Sequence, residues 1–140
     1  MILYLGTSSI VKLYTEEKHS SVLRSWVKAA EVVATCRVAY TEMISALENR
    51  FRKNDISKEN YSTLMTAFTG DWPRFASTDF DEIETGRLVK KYGLKRFHAI
   101  HLSAAKLIQR DHPGLSLFFS SADEGLNAAA EKEGLNVLHF

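Results

Sequence analysis

Four stretches of this chain carry side chains that could do chemistry. A small-residue turn, Gly6-Thr7-Ser8-Ser9, follows the apolar run Met1 to Leu5. Glu42 stands near the head of the helical pattern TEMISALENRF, and Asp123 follows the run LSLFFS within SSAD. His98 and His101 lie in LKRFHAIHLSAA, beside Lys95 and Arg96. Each has a plain structural reading as well. An acid at position 42 suits the positive end of a helix, and Asp123 suits the N-cap of a helix starting at Glu124. The Gly6 turn can offer backbone N–H groups to a phosphate. It lacks a lysine and the pattern GxxxxGK[ST], so it does not read as a nucleotide-binding loop. Nucleophilic catalysis has no support: Cys36, in VVATC, reads as a buried inert thiol, and no serine sits in GxSxG.

These residues depend on the elements that position them. Met1 to Leu5 reads as a buried strand, followed by a tight polar turn and a helix carrying Ile10, Val11, Leu13 and Tyr14. Val22, Leu23, Trp26 and Val27 give a second helical face. Glu31 to Tyr40, a β-branched run VVAT and then VAY, predicts a short strand, with Thr41 capping a long helix that turns Ile44, Leu47 and Phe51 inward. Ser57 caps a helix whose face is Tyr61, Leu64, Met65 and Phe68. A short extended piece, Phe75 to Phe80, leads to a helix from about Asp81 to Tyr92, ended by Gly93. Ala99 to Arg110 reads as helix, Leu115 to Ser120 as strand, Glu124 to Glu133 as helix stopped at Gly134, and Asn136 to Phe140 as a last strand. Strands alternating with helices predict a mainly parallel sheet covered on both faces. Ligands then bind beyond the carboxyl ends of the strands, where Gly6, Asp123 and Glu42 can meet.

The 140 residues suit a single domain, 1–140, with an ordinary soluble composition and a net charge of +1. No apolar run could span a bilayer. Met1 enters a strand directly, without a leader, which predicts a cytoplasmic protein. One cysteine excludes a disulfide framework and a thiolate metal site. Two basic patches stand out, Arg50-Arg52-Lys53 and Lys90-Lys91-Lys95-Arg96; solvated helix ends or a nucleic-acid contact would explain either.

Together, MILYLGTSSIVKLYTEEKHS, AYTEMISALENRF, LKRFHAIHLSAA and LFFSSADEGLNAAAEKEGLNV resemble the PIN domain, and within it the VapC-like toxins of bacterial toxin–antitoxin pairs. The resemblance runs from Met1 to Phe140. It implies a three-layer α/β PIN-like fold, with a mainly parallel central sheet and helices on both faces. It also implies a metal-dependent endoribonuclease using Mg²⁺ or Mn²⁺, an RNA substrate, a cognate antitoxin and a homodimer. Glu42 and Asp123 match two of the family's catalytic, metal-binding acids. Thr7, Ser8 and Ser121 match positions that support the site and could touch substrate, and Lys95 and Arg96 could contact phosphates beside it.

Two acids of the pattern are replaced. Where the family has aspartate at the end of the first strand this chain has Gly6, and in RFHAIHLSAA the aspartate position holds His98. Two unit charges about 4 Å apart interact by roughly 4 kcal/mol at an effective dielectric of about 20. A divalent ion feels about double that from each acid, so losing two predicts much weaker Mg²⁺ binding. Neutral imidazole suits Mn²⁺, Zn²⁺ or Fe²⁺ better than Mg²⁺, so Glu42, His98 and Asp123 could form a mixed site. Alternatively His98 is a hydrogen-bonded residue at a helix start. His101 is expected to pack and make a local hydrogen bond. Two functions follow: a ribonuclease with weakened or lost activity, or an inactive module binding RNA or a protein partner. Aromatic residues around Trp26, Tyr61, Phe68 and Trp72 are expected to leave some surface for a dimer or antitoxin interface.

Overall fold

A computed structural model describes every residue, Met1–Phe140. Along the chain run β1 (Ile2–Leu5), α1 (Thr7–Tyr14), α2 (Ser20–Ala29), β2 (Val32–Cys36), α3 (Val38–Arg52) and α4 (Lys58–Asp71). A single 3₁₀ turn (Trp72–Arg74) follows, then β3 (Ala76–Thr78), α5 (Glu82–Tyr92), α6 (Arg96–Asp111), β4 (Leu117–Ser120), α7 (Glu124–Lys132) and β5 (Asn136–Val137). All strand pairs are parallel, in the order β3-β2-β1-β4-β5. No helix is long and apolar enough to cross a membrane.

The apolar run of β1 has a direct cause. A central parallel strand is covered on both faces, so each residue is buried and successive side chains feed opposite layers. Ile2 and Tyr4 enter a core with Ala34, Phe119, Leu88 and Leu102, under α5, α6 and α7. Leu3 and Leu5 enter the other, with Ile10, Leu23, Met43 and Phe68, under α1 to α4. This is the three-layer α/β architecture expected.

Helix ends follow the capping residues. Ser57 Oγ accepts the Asn60 amide at 3.1 Å, Asp81 Oδ1 that of Glu84 at 2.9 Å, and Asp123 Oδ1 that of Leu126 at 2.7 Å. Gly93 and Gly134 follow α5 and α7 with φ of 66° and 89°, where a side chain would be strained.

Several boundaries differ from expectation. Thr7, Ser8 and Ser9 already belong to α1, so the polar turn reduces to Gly6. The segment Val38-Ala39-Tyr40 is helical, not extended: α3 starts at Val38, Thr41 lies inside it, and Glu42 is in its second turn. Its buried stripe is Ala39, Met43 and Leu47. That i, i+4 spacing puts small and large apolar groups on the sheet side, while Ile44 and Phe51 are only half-buried. The α6 helix starts at Arg96, before Ala99, and β5 has only two residues. Cys36 is buried, and its burial raises the thiol pKa, as an inert thiol requires.

The helices α5, α6 and the end of α7 are tied by one carboxylate. The Glu133 side chain is 6% exposed. It accepts from Lys106 at 2.6 Å and Lys91 at 3.3 Å, and also from Arg87 and the Tyr92 hydroxyl. Burial pushes this carboxyl up, but the four donors outweigh it and hold it far below the ordinary range. The hydrogen bond from Arg87 likewise lowers Glu84 to about 2, against burial and with help from Lys106. Both acids are stronger in the folded protein than in the unfolded chain, at about 4.3. Their contribution is therefore full above that value and is lost as pH falls through the folded value, toward about 2 for Glu84. Urea titrations should show stability falling below about pH 4. Replacing Glu133 by Gln should lower stability at neutral pH by about 2 kcal/mol, because three cations lose their shared partner, and should flatten that acid limb.

Candidate active site

At the carboxyl end of β1, Gly6 is the N-cap of α1. Its amide donates to Ser120 O at 2.9 Å. Ser9 Oγ lies 2.9 Å from Ser120 Oγ, and Ser8 Oγ accepts the Ala122 amide at 2.9 Å. These bonds pin the first turn of α1 to the end of β4. Strands β2 and β3 lie on one side of β1, and β4 and β5 on the other. Strand order thus reverses here, the place where such sheets bind ligands. A cleft of about 720 Å³ opens at this point, lined by Gly6, Thr7 and Ser8, by Glu42 on α3, and by His98 and His101 on α6.

Glu42 is held by two donors, one of them braced from the core. The fully buried Tyr4 hydroxyl lies 2.7 Å from His101 Nδ1. His101 Nε2 lies 2.7 Å from Glu42 Oε1 and 3.0 Å from Thr7 Oγ1. The Thr7 hydroxyl donates to the same carboxylate oxygen at 2.8 Å. A carboxylate only accepts, so Nε2 carries a proton toward it, and in the neutral ring Nδ1 then accepts from Tyr4. Burial drives the Tyr4 pKa far above the phenol range, which keeps its hydroxyl a donor. Glu42 Oε2 has no partner within the chain. His101 therefore does more than pack locally: it joins β1 to α3 through a buried chain of hydrogen bonds.

His98 is one turn earlier on α6, half-exposed, with Nδ1 3.9 Å from Asp123 Oδ1. That separation is too long for a hydrogen bond. Asp123 Oδ1 caps α7, and its side chain is 42% exposed. Ser121, expected at the substrate, is buried. Its hydroxyl donates to Asn127 Oδ1 at 2.8 Å and accepts the Asp123 amide at 3.2 Å, so it shapes the β4–α7 turn instead.

The acids and histidines form two pairs, Glu42 with His101 and Asp123 with His98. No three His, Cys, Asp or Glu side chains come close enough together to hold a metal ion. Mg²⁺ demands several oxygens in near-octahedral array. Two carboxylates, each with one oxygen already hydrogen-bonded, do not fit it. Gly6 marks where a further ligand would stand. A Cβ there would meet Ser121 Cβ at 3.5 Å and Ser120 O at 3.6 Å, which is ordinary contact. The backbone is extended, with φ −70° and ψ 162°, open to any residue. The fold therefore does not require glycine at this position.

The basic patches divide. Arg50 pairs with Glu17 at 3.6 Å, Arg52 with Glu48 at 2.8 Å, and Lys91 joins the Glu133 cluster. Lys95 and Arg96 are exposed beside the cleft and have no acidic partner. The aromatic residues assigned to an interface are engaged within the chain. Trp26 stacks on Phe140, Tyr61 on Phe51, and buried Phe68 meets Tyr14, Tyr40 and Trp72. Phe97, Thr41, Ser45 and Asn49 also line the cleft and were not expected there. Their signal was the i, i+4, i+8 spacing of the last three, hidden while Thr41 was placed at the helix cap.

No family model matches the chain. Two curated relatives do, ribonuclease VapC45 and ribonuclease VapC49, both from Mycobacterium tuberculosis. Each is 24% identical over 139 residues, covering 97% of this chain and 94% of the relative. Among solved structures, PAE2754 from Pyrobaculum aerophilum superposes with a TM-score of 0.66 at 15% identity, over 98% of this chain and 89% of that one. FitAcB from Neisseria gonorrhoeae gives 0.66 at 15%, over 99% and 97%. Over its full length the chain is similar to these VapC ribonucleases, and its fold is the three-layer PIN-like one.

Two substitutions check the site's construction. Gly6→Asp should fold and unfold in urea within about 0.5 kcal/mol of the parent, since aspartate is a good N-cap and nothing obstructs it. Tyr4→Phe should lose about 1–2 kcal/mol, because the buried His101 Nδ1 is left without a donor.

Proposed function

We propose that this chain is a VapC-like toxin of ribonuclease lineage in which metal-dependent RNA cleavage is weak or lost, while the RNA-binding cleft and the antitoxin partnership are kept. One observation carries this reading. The reversal point of the sheet holds a positioned carboxylate, Glu42, while two further positions around it, Gly6 and His98, carry no acid. The full-length similarity to ribonucleases named VapC supports the lineage. Glu42 and Asp123 are the surviving catalytic acids on this reading, with Mg²⁺ or Mn²⁺ as the ion the resemblance implies. Their separation into two pairs argues against a working centre. His98 is the residue that would shift preference toward a softer ion. Thr7 and Ser8 line the substrate cleft, and Lys95 and Arg96 supply its positive rim. A homodimer follows from the resemblance alone.

The alternative, a module that binds RNA or protein without ever cutting, shares the same fold and cleft. The two are separated by restoring the acids. In Mg²⁺, Gly6→Asp combined with His98→Asp should raise cleavage of a mixed RNA pool by at least about 100-fold over the parent, as expected when each acid contributes a few kcal/mol to ion binding. Equal cleavage by parent and double variant would show that the two acids are dispensable and would defeat the lost-activity reading.

A further inference from the structure

We propose that Phe97, with Thr41, Ser45 and Asn49 on the facing helix, forms a seat for one unpaired base of a single-stranded RNA. Lys95 and Arg96 hold the adjoining phosphates. This rests on the RNA-binding reading above and specifies the form of RNA that is bound.

Phe97 is 43% exposed, one of four large apolar side chains left so open, and it alone of the four lines the cleft. Its ring stacks on no other aromatic group of the chain, although the other aromatics form an extensive set of contacts. The opposite wall belongs to α3. Thr41, Ser45 and Asn49 recur every four residues, one side of the helix, with a rise of about 6 Å per step. All three are exposed, and none of their side chains makes a hydrogen bond within the protein. Lys95 and Arg96 immediately precede the ring. They stand at the N-terminal end of α6, where the helix dipole disfavours cations and no acid compensates them.

An aromatic ring and three neutral polar side chains thus line one cleft without a partner inside the fold, and two unpaired cations adjoin the ring at the start of α6. An aromatic face stacks on any base, neutral donors and acceptors meet base edges and ribose hydroxyls, and cations hold phosphate. A duplex keeps its bases stacked on each other and cannot present one to Phe97, so the occupant is single-stranded.

Fluorescence anisotropy with a short labelled single-stranded oligoribonucleotide, in EDTA at low salt, tests this. Phe97→Ala should weaken binding about tenfold or more, with an unchanged salt slope, and Phe97→Trp should restore it. Lys95→Ala with Arg96→Ala should weaken binding and lower the salt slope by about one to two. An abasic strand of equal length should bind weakly and be indifferent to Phe97→Ala, and a duplex should bind less well than the single strand. Unchanged RNA affinity in Phe97→Ala, or an abasic strand that loses as much as the intact one, overturns the base seat. If RNA binding then still depends on Lys95 and Arg96, the ribonuclease-lineage reading stands without the seat. If the parent binds no RNA at all, both fall. An acidic amphipathic peptide that binds through Phe97 while RNA does not would assign the ring to a protein partner and overturn the seat.

Discussion

A buried tyrosine hydroxyl must find a partner, and in this protein that need sets the geometry of the cleft. Tyr4 sits in the central strand with helices on both sides and no water to turn to. An unpaired polar group there costs about 1–3 kcal/mol. His101 answers it, and the imidazole then has one proton and one direction in which to send it. That direction is Glu42. Thr7, delivered by the same strand three residues on, completes the set. Four elements, β1, α1, α3 and α6, are thereby locked at one point. The position of Glu42 is a consequence of packing in the core and does not depend on any ligand.

The same logic shows what the fold does not fix. Gly6 has ordinary dihedral angles, and a Cβ there would make only ordinary contacts, so sterics permit a side chain. His98 is half-exposed and makes no hydrogen bond that holds the helix. Neither residue is needed for the architecture. The stability of the layer around them comes from elsewhere, from apolar burial and from the Glu133 cluster on the far side of α6. Site and scaffold are energetically separate at these two positions, so residues can change there while the sheet, the cleft and the Glu42 relay stay intact.

The strand–helix alternation was legible in the sequence because buried parallel strands are short apolar runs and the helix stops are glycines that need positive φ. The caps at Ser57 and Asp123 were legible because each side chain has one good bond to make. The start of α3 was not. Val38 and Tyr40 favour strands locally, but tertiary packing of Ala39 and Met43 against the sheet draws the segment into the helix. That shift moved Glu42 into the second turn and turned Thr41, Ser45 and Asn49 into one wall. The role of His101 was hidden as well, since its partners are 97 and 59 residues away and no local pattern records them. Ser121 looked available because it borders Asp123; Asn127, six residues on, takes its hydroxyl.

Charge gives these features a common meaning. A site crowded with carboxylates repels RNA until a metal ion neutralises it, so in such a site binding and catalysis are tied to the same ion. Here Glu42 is the only acid lining the cleft, and two hydrogen-bond donors already oppose its charge. Asp123 is set against the N-terminus of α7, where the helix dipole offsets it. Lys95 and Arg96 add positive charge that no acid cancels. The two cations next to Phe97 have no ion-pair partner in the chain, and such unpaired cations suit a polyanion without help from a metal. On the reading proposed above, loss of two acids weakens the chemistry that needs an ion and at the same time removes an electrostatic obstacle to holding RNA in its absence. Under that reading, binding outlasts cleavage because the two draw on different side chains.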